Sequence, residues 1–191
     1  MGSPFKEKMF DEKRKEPDAM KLRKLALLDD VERAEIKKLT SEDVDQVHII
    51  MRKTLWESTR EQVADVIKNG MSFGAYVQRM LVGAGLAWPA HYGEKQAALT
   101  QGEPNALYME DVALLLAYEG KGIREMLIME REKLAKERNF QYVVAYISPE
   151  WPAGELPLMI KERGNRIEKS YLANGYGFVR SKDGVIAVKR L

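Results

Sequence analysis

The sequence predicts an α/β (α+β) fold, with a mixed, mostly antiparallel central sheet of about seven strands flanked by helices. Three observations predict it. The hydrophobic period switches repeatedly between strand-like runs and helix-like stripes, in the order β-α-α-β-β-β-α-β-α-β-β. Two runs, ALYMEDVALLL and FQYVVAYI, are almost continuously apolar, as strands in the middle of a sheet are. Two further pairs of strand-like runs are separated only by short polar turns, as in antiparallel hairpins.

Residues 1–33 read as a charged extension, partly disordered, with one helix around Ala19 to Val31, and residues 34–191 read as one domain. The domain opens with AEIKKL, a short strand. TSEDVDQVHIIMRKTL then reads as a helix started by Thr40 or Ser41, with acids in its first turn and Val44, Val47, Ile50 and Met51 on its apolar face. TREQVADVIKNG is a second helix, stopped at Gly70. SFGAYV and MLVGAGLAW form a hairpin turning at Gln78 and Arg79. A long polar loop is expected from Pro89 to Asn105, then the single long strand ALYMEDVALLL. GIREMLIMEREKLAKERN is a helix with Ile123, Met126, Leu127 and Leu134 facing inward, followed by the strand FQYVVAYI. SPEWPAGELPLMIKERGN, with its prolines and glycines, reads as irregular. RIEKSYLANG is a short helix ending at Gly175, and YGFVRS and VIAVKRL close the chain as a hairpin across KDG.

Composition excludes several function classes. The chain has 191 residues, 45% of them hydrophobic, and no apolar run near the ~20 residues that span a bilayer. Mean hydropathy is −0.40. The 31 basic residues are balanced by 29 acidic ones, which argues against nucleic acid as a partner. With no cysteine and only His48 and His91, neither a disulfide framework nor a thiol nucleophile nor a metal site is expected. The N-terminus lacks an apolar signal segment, so the expectation is a cytoplasmic protein with no membrane association.

Three motifs carry a resemblance. LYMEDVALLLAYEGKGI is a strand that leads through two glycines into a helix. SYLANGY places Gly175 and Tyr176 four and five residues after Tyr171. VIAVKRL is an apolar final strand. In this order and spacing, from about Glu35 to Leu191, the chain resembles the GNAT acetyltransferase superfamily. The likeness implies acetyl-CoA as cosubstrate, no metal, and transfer of its acetyl group to a primary amine. The amine could belong to a small molecule or to a protein. The alternative is a non-catalytic GNAT-fold module that binds coenzyme A or a protein partner. A homodimer through sheet edges or the extra helix is compatible with the sequence, which does not fix it.

Elementary chemistry agrees with the resemblance at the glycines. Backbone N–H groups at a helix N-terminus suit a pyrophosphate, and glycine lets them approach it. By resemblance, the main chain of Glu119, Gly120, Lys121, Gly122, Ile123 and Arg124 holds the pyrophosphate. The main chain of Val112, Ala113 and Leu114 pairs with the pantetheine arm, and the Leu114 N–H faces the thioester oxygen. The family signature, Arg/Gln-x-x-Gly-x-Gly/Ala, is not met at its ends, where Glu119 and Arg124 stand. The Arg124 guanidinium either meets a phosphate or its stem crowds the backbone.

The resemblance assigns Glu110 as the base that deprotonates the amine and Tyr171 as the acid that protonates the departing thiolate. Glu110 and Asp111 interrupt an apolar strand, where an unpaired carboxylate is costly, and as strand neighbours they face opposite sides. The acceptor is expected among Trp56, Trp88, Asp111 and Trp151, since all three tryptophans fall in or beside the loops that form this pocket in the family.

Overall fold

The computed structural model describes residues 34–54, 57–148, 151–182 and 184–191. The helix expected at Ala19 to Val31 lies outside these residues. The first four-stranded sheet is built from β1 (Glu35–Lys38), β2 (Phe73–Val77), β3 (Met80–Gly85) and β7 (Ala113–Leu114), in the order β1-β2-β3-β7. The second sheet contains β4 (Ala87–Gly93), β5 (Ala98–Thr100), β6 (Ala106–Met109), β8 (Tyr142–Ser148), β9 (Gly177–Ser181) and β10 (Gly184–Arg190), ordered β5-β4-β6-β8-β10-β9. Every pairing among these strands is antiparallel except β6 with β8, which is parallel.

Among the described residues five α-helices complete the domain: α1 (Val44–Lys53), α2 (Arg60–Lys68), α3 (Ile123–Glu137), α4 (Leu156–Arg163) and α5 (Arg166–Ala173). α1 buries Val44, Val47, Ile50 and Met51, the face expected from its periodicity. Thr59 caps α2 and Asn165 caps α5, each in a reciprocal capping box. α1 packs on β3, and α2 on α1 and β4, over one apolar cluster, while α3 packs across the first sheet over another, with Ile123 and Leu127 fully buried.

Four sequence expectations change. The segment Pro89 to Asn105 is not a long loop, because β4 and β5 occupy much of it. Pro89 lies inside β4, where β5 pairs only with His91–Gly93, so no strand among the described residues bonds β4 at Pro89 on that side. MLVGAGLAW divides at Leu86 between β3 and β4, which belong to different sheets. ALYMEDVALLL likewise divides at Glu110–Val112 between β6 and β7. The segment read as irregular contains α4. Its Pro157 falls in the first helical turn, where no N–H donor is needed.

The two divisions lie side by side, since the Glu110 N–H donates to the Leu86 carbonyl at 3.0 Å. The glycines of VGAG explain how α3 approaches there. A Cβ on Gly83 would meet Leu114 Cδ1 at 2.8 Å, and one on Gly85 would meet Arg131 Cζ at 2.9 Å. At each glycine the chain gives up a side chain to admit another, from the paired strand β7 at Gly83 and from α3 at Gly85.

Candidate active site

The site forms where the two sheets part. Past Met109 the chain leaves β8 and joins β3, so β7 pairs with β3 alone and its other edge has no strand among the described residues. Glu110 and Asp111 sit in the unpaired step between the sheets. The Glu110 carboxyl accepts the Asp111 N–H at 3.3 Å, and burial raises its pKa above the usual carboxylate range. The Asp111 carboxyl is also pushed up by burial, against the pull of Arg124 and the Val112 N–H.

The glycine loop follows a 3-10 turn over Leu116–Tyr118. Gly120 and Gly122 adopt φ of 71° and 81°, left-handed values that favour glycine. A Cβ on Gly122 would meet nothing within 4 Å, so the N-terminus of α3 faces open space. Ile123 does not face that space, because its side chain is fully buried in the core. The depression here, about 360 Å³, is lined by Glu119, Gly120, Gly122, Arg124, Glu125 and Arg166. A second depression of about 470 Å³ shares Glu119 and extends past Leu114 to Lys53 at the end of α1.

Glu119 and Arg124, the two departures from the signature, pair with each other. Arg124 turns inward: Nη2 donates to Glu119 Oε1 at 2.8 Å, and Nη1 to Asp111 Oδ1 at 2.5 Å and to the Val112 carbonyl at 3.1 Å. Arg166 reaches the other Glu119 oxygen at 3.5 Å. Asp111, expected in the acceptor pocket, is thus held by Arg124 instead.

Tyr171, from α5, is 1% exposed, and its hydroxyl has no hydrogen-bond partner among the described residues. It lies edge-on to Tyr176 and within electrostatic reach of Arg131, Asp111, Arg124 and Glu110, and burial raises its pKa. Sequence reasoning missed Arg131. This arginine of α3 is fully buried, donates Nη1 to the Glu110 carbonyl at 2.7 Å and to the Leu86 carbonyl at 3.0 Å, and so clasps both divided strands. Its signal was a basic residue on the stripe of Ile123, Leu127 and Leu134, opposite a strand with two glycines.

Glu110 also forms one wall of a cavity of about 510 Å³ between α1, α2 and the β3–β4 division. Trp88 lines it, with its ring 4.6 Å from that of Tyr108. Met51, Val63, Val66 and Leu86 supply apolar walls, and Glu57, Ser58, Gln62 and Asp65 the remainder. Trp56 lies outside the described residues. Trp151 is elsewhere: its indole donates to Glu168 at 2.9 Å, and it lines a separate cavity beside Arg180 and Lys182.

No sequence-family model matches the chain, and no curated protein matches it in sequence. Solved structures do. The loading GNATL domain of CurA from Lyngbya majuscula superposes with a TM-score of 0.65 at 12% identity, covering 82% of this chain and 97% of that one. The PaiA N-acetyltransferase from Thermoplasma acidophilum, solved with coenzyme A, gives 0.59 at 17% identity over 83% and 99%. Arabidopsis thaliana Naa50, in complex with a bisubstrate analogue, gives 0.57 at 16% identity over 83% and 99%. The chain therefore has the GNAT fold, in agreement with its three motifs. No helix among the described residues is long and apolar enough to cross a membrane.

Proposed function

We propose that this protein is an acetyl-CoA-dependent N-acetyltransferase acting on a primary amine. One observation carries the reading. A buried tyrosine hydroxyl, without a hydrogen-bond partner among the described residues, lies within electrostatic reach of Glu110 and Asp111 at the sheet division, from which the open edge of β7 runs on to a glycine-opened helix N-terminus. These features fit coenzyme A: Gly120, Gly122 and the first N–H groups of α3 suit its pyrophosphate, and the open edge of β7 suits its pantetheine.

Bound acetyl-CoA supplies an acyl thioester, whose carbon becomes bonded to the amine nitrogen as its bond to sulfur breaks. Glu110 takes a proton from the amine. Its raised pKa makes it a stronger base than an exposed carboxylate. Tyr171 gives its proton to the sulfur. A neighbouring cation, Arg131, eases that loss by stabilising the phenolate, opposing the burial that resists it. The Leu114 N–H faces the thioester oxygen.

A second reading, a non-catalytic module, is favoured by one contact. Arg124 occupies the Val112 carbonyl, an acceptor the pantetheine path would use. Calorimetric titration with acetyl-CoA and coenzyme A separates the two readings when combined with thiol release. Micromolar binding that survives in Tyr171→Phe, with turnover reduced at least ~100-fold, is expected for the enzyme. Absence of binding at millimolar concentration refutes it.

A further inference from the structure

The cavity beside Glu110 combines features that select a chemical class. Its walls are the side chains of Met51, Val63, Val66, Leu86 and Trp88, and none of the described lining residues is basic. Among the described lining residues Glu110 is the one carboxylate that is not exposed. Asp65, at the rim, is already paired with Lys68 at 2.9 Å. Gln62 commits its carbonyl oxygen to the Thr59 N–H in the α2 cap. His48 joins the Ser58 carbonyl at 3.1 Å and holds the connection between the two helices against the cavity.

We infer that this cavity takes a primary monoamine carried on an apolar alkyl or aryl body, with no carboxylate. The inference rests on the acetyltransferase reading for its chemistry, not for its binding. The ammonium pairs with Glu110, a part-buried carboxyl whose charge burial disfavours until a counterion arrives. The body covers the apolar walls, and about 510 Å³ is ample for a ring and a short chain. A carboxylate on the ligand would face Glu110, Glu57 and Asp65 with no cation to receive it. A second ammonium gains little, because the rim charges are exposed and Asp65 is taken. A peptide would place amide groups against side chains that offer few partners.

The test uses the full-length chain and matched probes: 2-phenylethylamine, hexylamine, phenylalanine, spermidine and a short peptide beginning with methionine. Binding is read by calorimetry without acetyl-CoA, and acetylation by thiol release. The two apolar monoamines should bind at least ~10-fold more tightly than the other probes, with the same order in kcat/KM. Glu110→Gln should weaken 2-phenylethylamine binding by about that factor, while coenzyme A binding stays unchanged. Asp65→Arg, which puts a cation at the rim, should raise the relative affinity for 6-aminohexanoate several-fold over hexylamine.

Equal or tighter binding of phenylalanine, spermidine or the peptide overturns the assignment, and turnover of those probes would leave the acetyltransferase reading standing. Selective monoamine binding without thiol release from any probe supports the assignment and refutes the acetyltransferase reading.

Discussion

Two arginines stand seven residues apart on α3, Arg124 and Arg131, and both are buried. Their surroundings differ in kind. Arg124 is held by two carboxylates and one carbonyl at the edge of an open depression. Among the described residues Arg131 is held by carbonyls alone, those of Leu86, Glu110 and Leu127, and its Nη2 has no partner there. Ion-pair partners can be exchanged for another anion that enters. Carbonyls of the sheet division cannot be exchanged, because they belong to the fold. One helix thus carries an arginine suited to a ligand and another suited to holding the sheets where the ligand must fit.

The largest effect that would test this contrast is on stability. Arg131→Met keeps much of the volume but strips the Glu110 carbonyl of a charged donor. We expect a loss of about 2–3 kcal/mol, or roughly 4–12 °C in Tm for a chain of this size. A variant as stable as the parent would show that Arg131 is no clasp.

Next is Glu119→Gln, which installs a residue the GNAT signature allows and removes a negative charge from the glycine cradle. Coenzyme A should bind about tenfold more tightly, the effect of about 1.4 kcal/mol of relieved repulsion. Unchanged affinity by calorimetry would mean that Glu119 does not compete for the cradle.

The smallest effect concerns Glu110, whose carbonyl Arg131 holds. Its folded pKa lies above the unfolded one, so the folded state binds more protons between the two values. Stability therefore falls as pH rises through that window and stays lowered above it. Glu110→Gln should raise Tm slightly near pH 7 and leave it unchanged below the ordinary glutamate pKa. Thermal melts across pH check this, and a gain confined to acid pH would contradict it.

Much of the fold was legible in the sequence because period and capping are local. The buried face of α1, the helical start capped at Thr40 and both hairpins depend on neighbours within a few residues. The glycine loop was legible for the same reason. What escaped depends on distant partners. ALYMEDVALLL looks like one strand, since the pull that divides it comes from β3 on one side and β8 on the other. The pairing of Arg124 with both Glu119 and Asp111 needed the strand and the helix start in space together. Arg131 gave a local sign, a charge on an apolar stripe, but its targets at Leu86 and Glu110 lie 45 and 21 residues away.

The interleaving of the sheets has a consequence for how the chain folds. The first sheet takes its last strand, β7, from beyond three strands of the second. During synthesis β3 lacks its β7 partner until Leu114 has emerged, and the sheet face that α3 covers stays bare until that helix follows. Neither sheet is a contiguous piece of chain, so a cut between them in sequence leaves both incomplete. Denaturant unfolding should accordingly be a single cooperative transition, with β2 and β10 losing amide protection together.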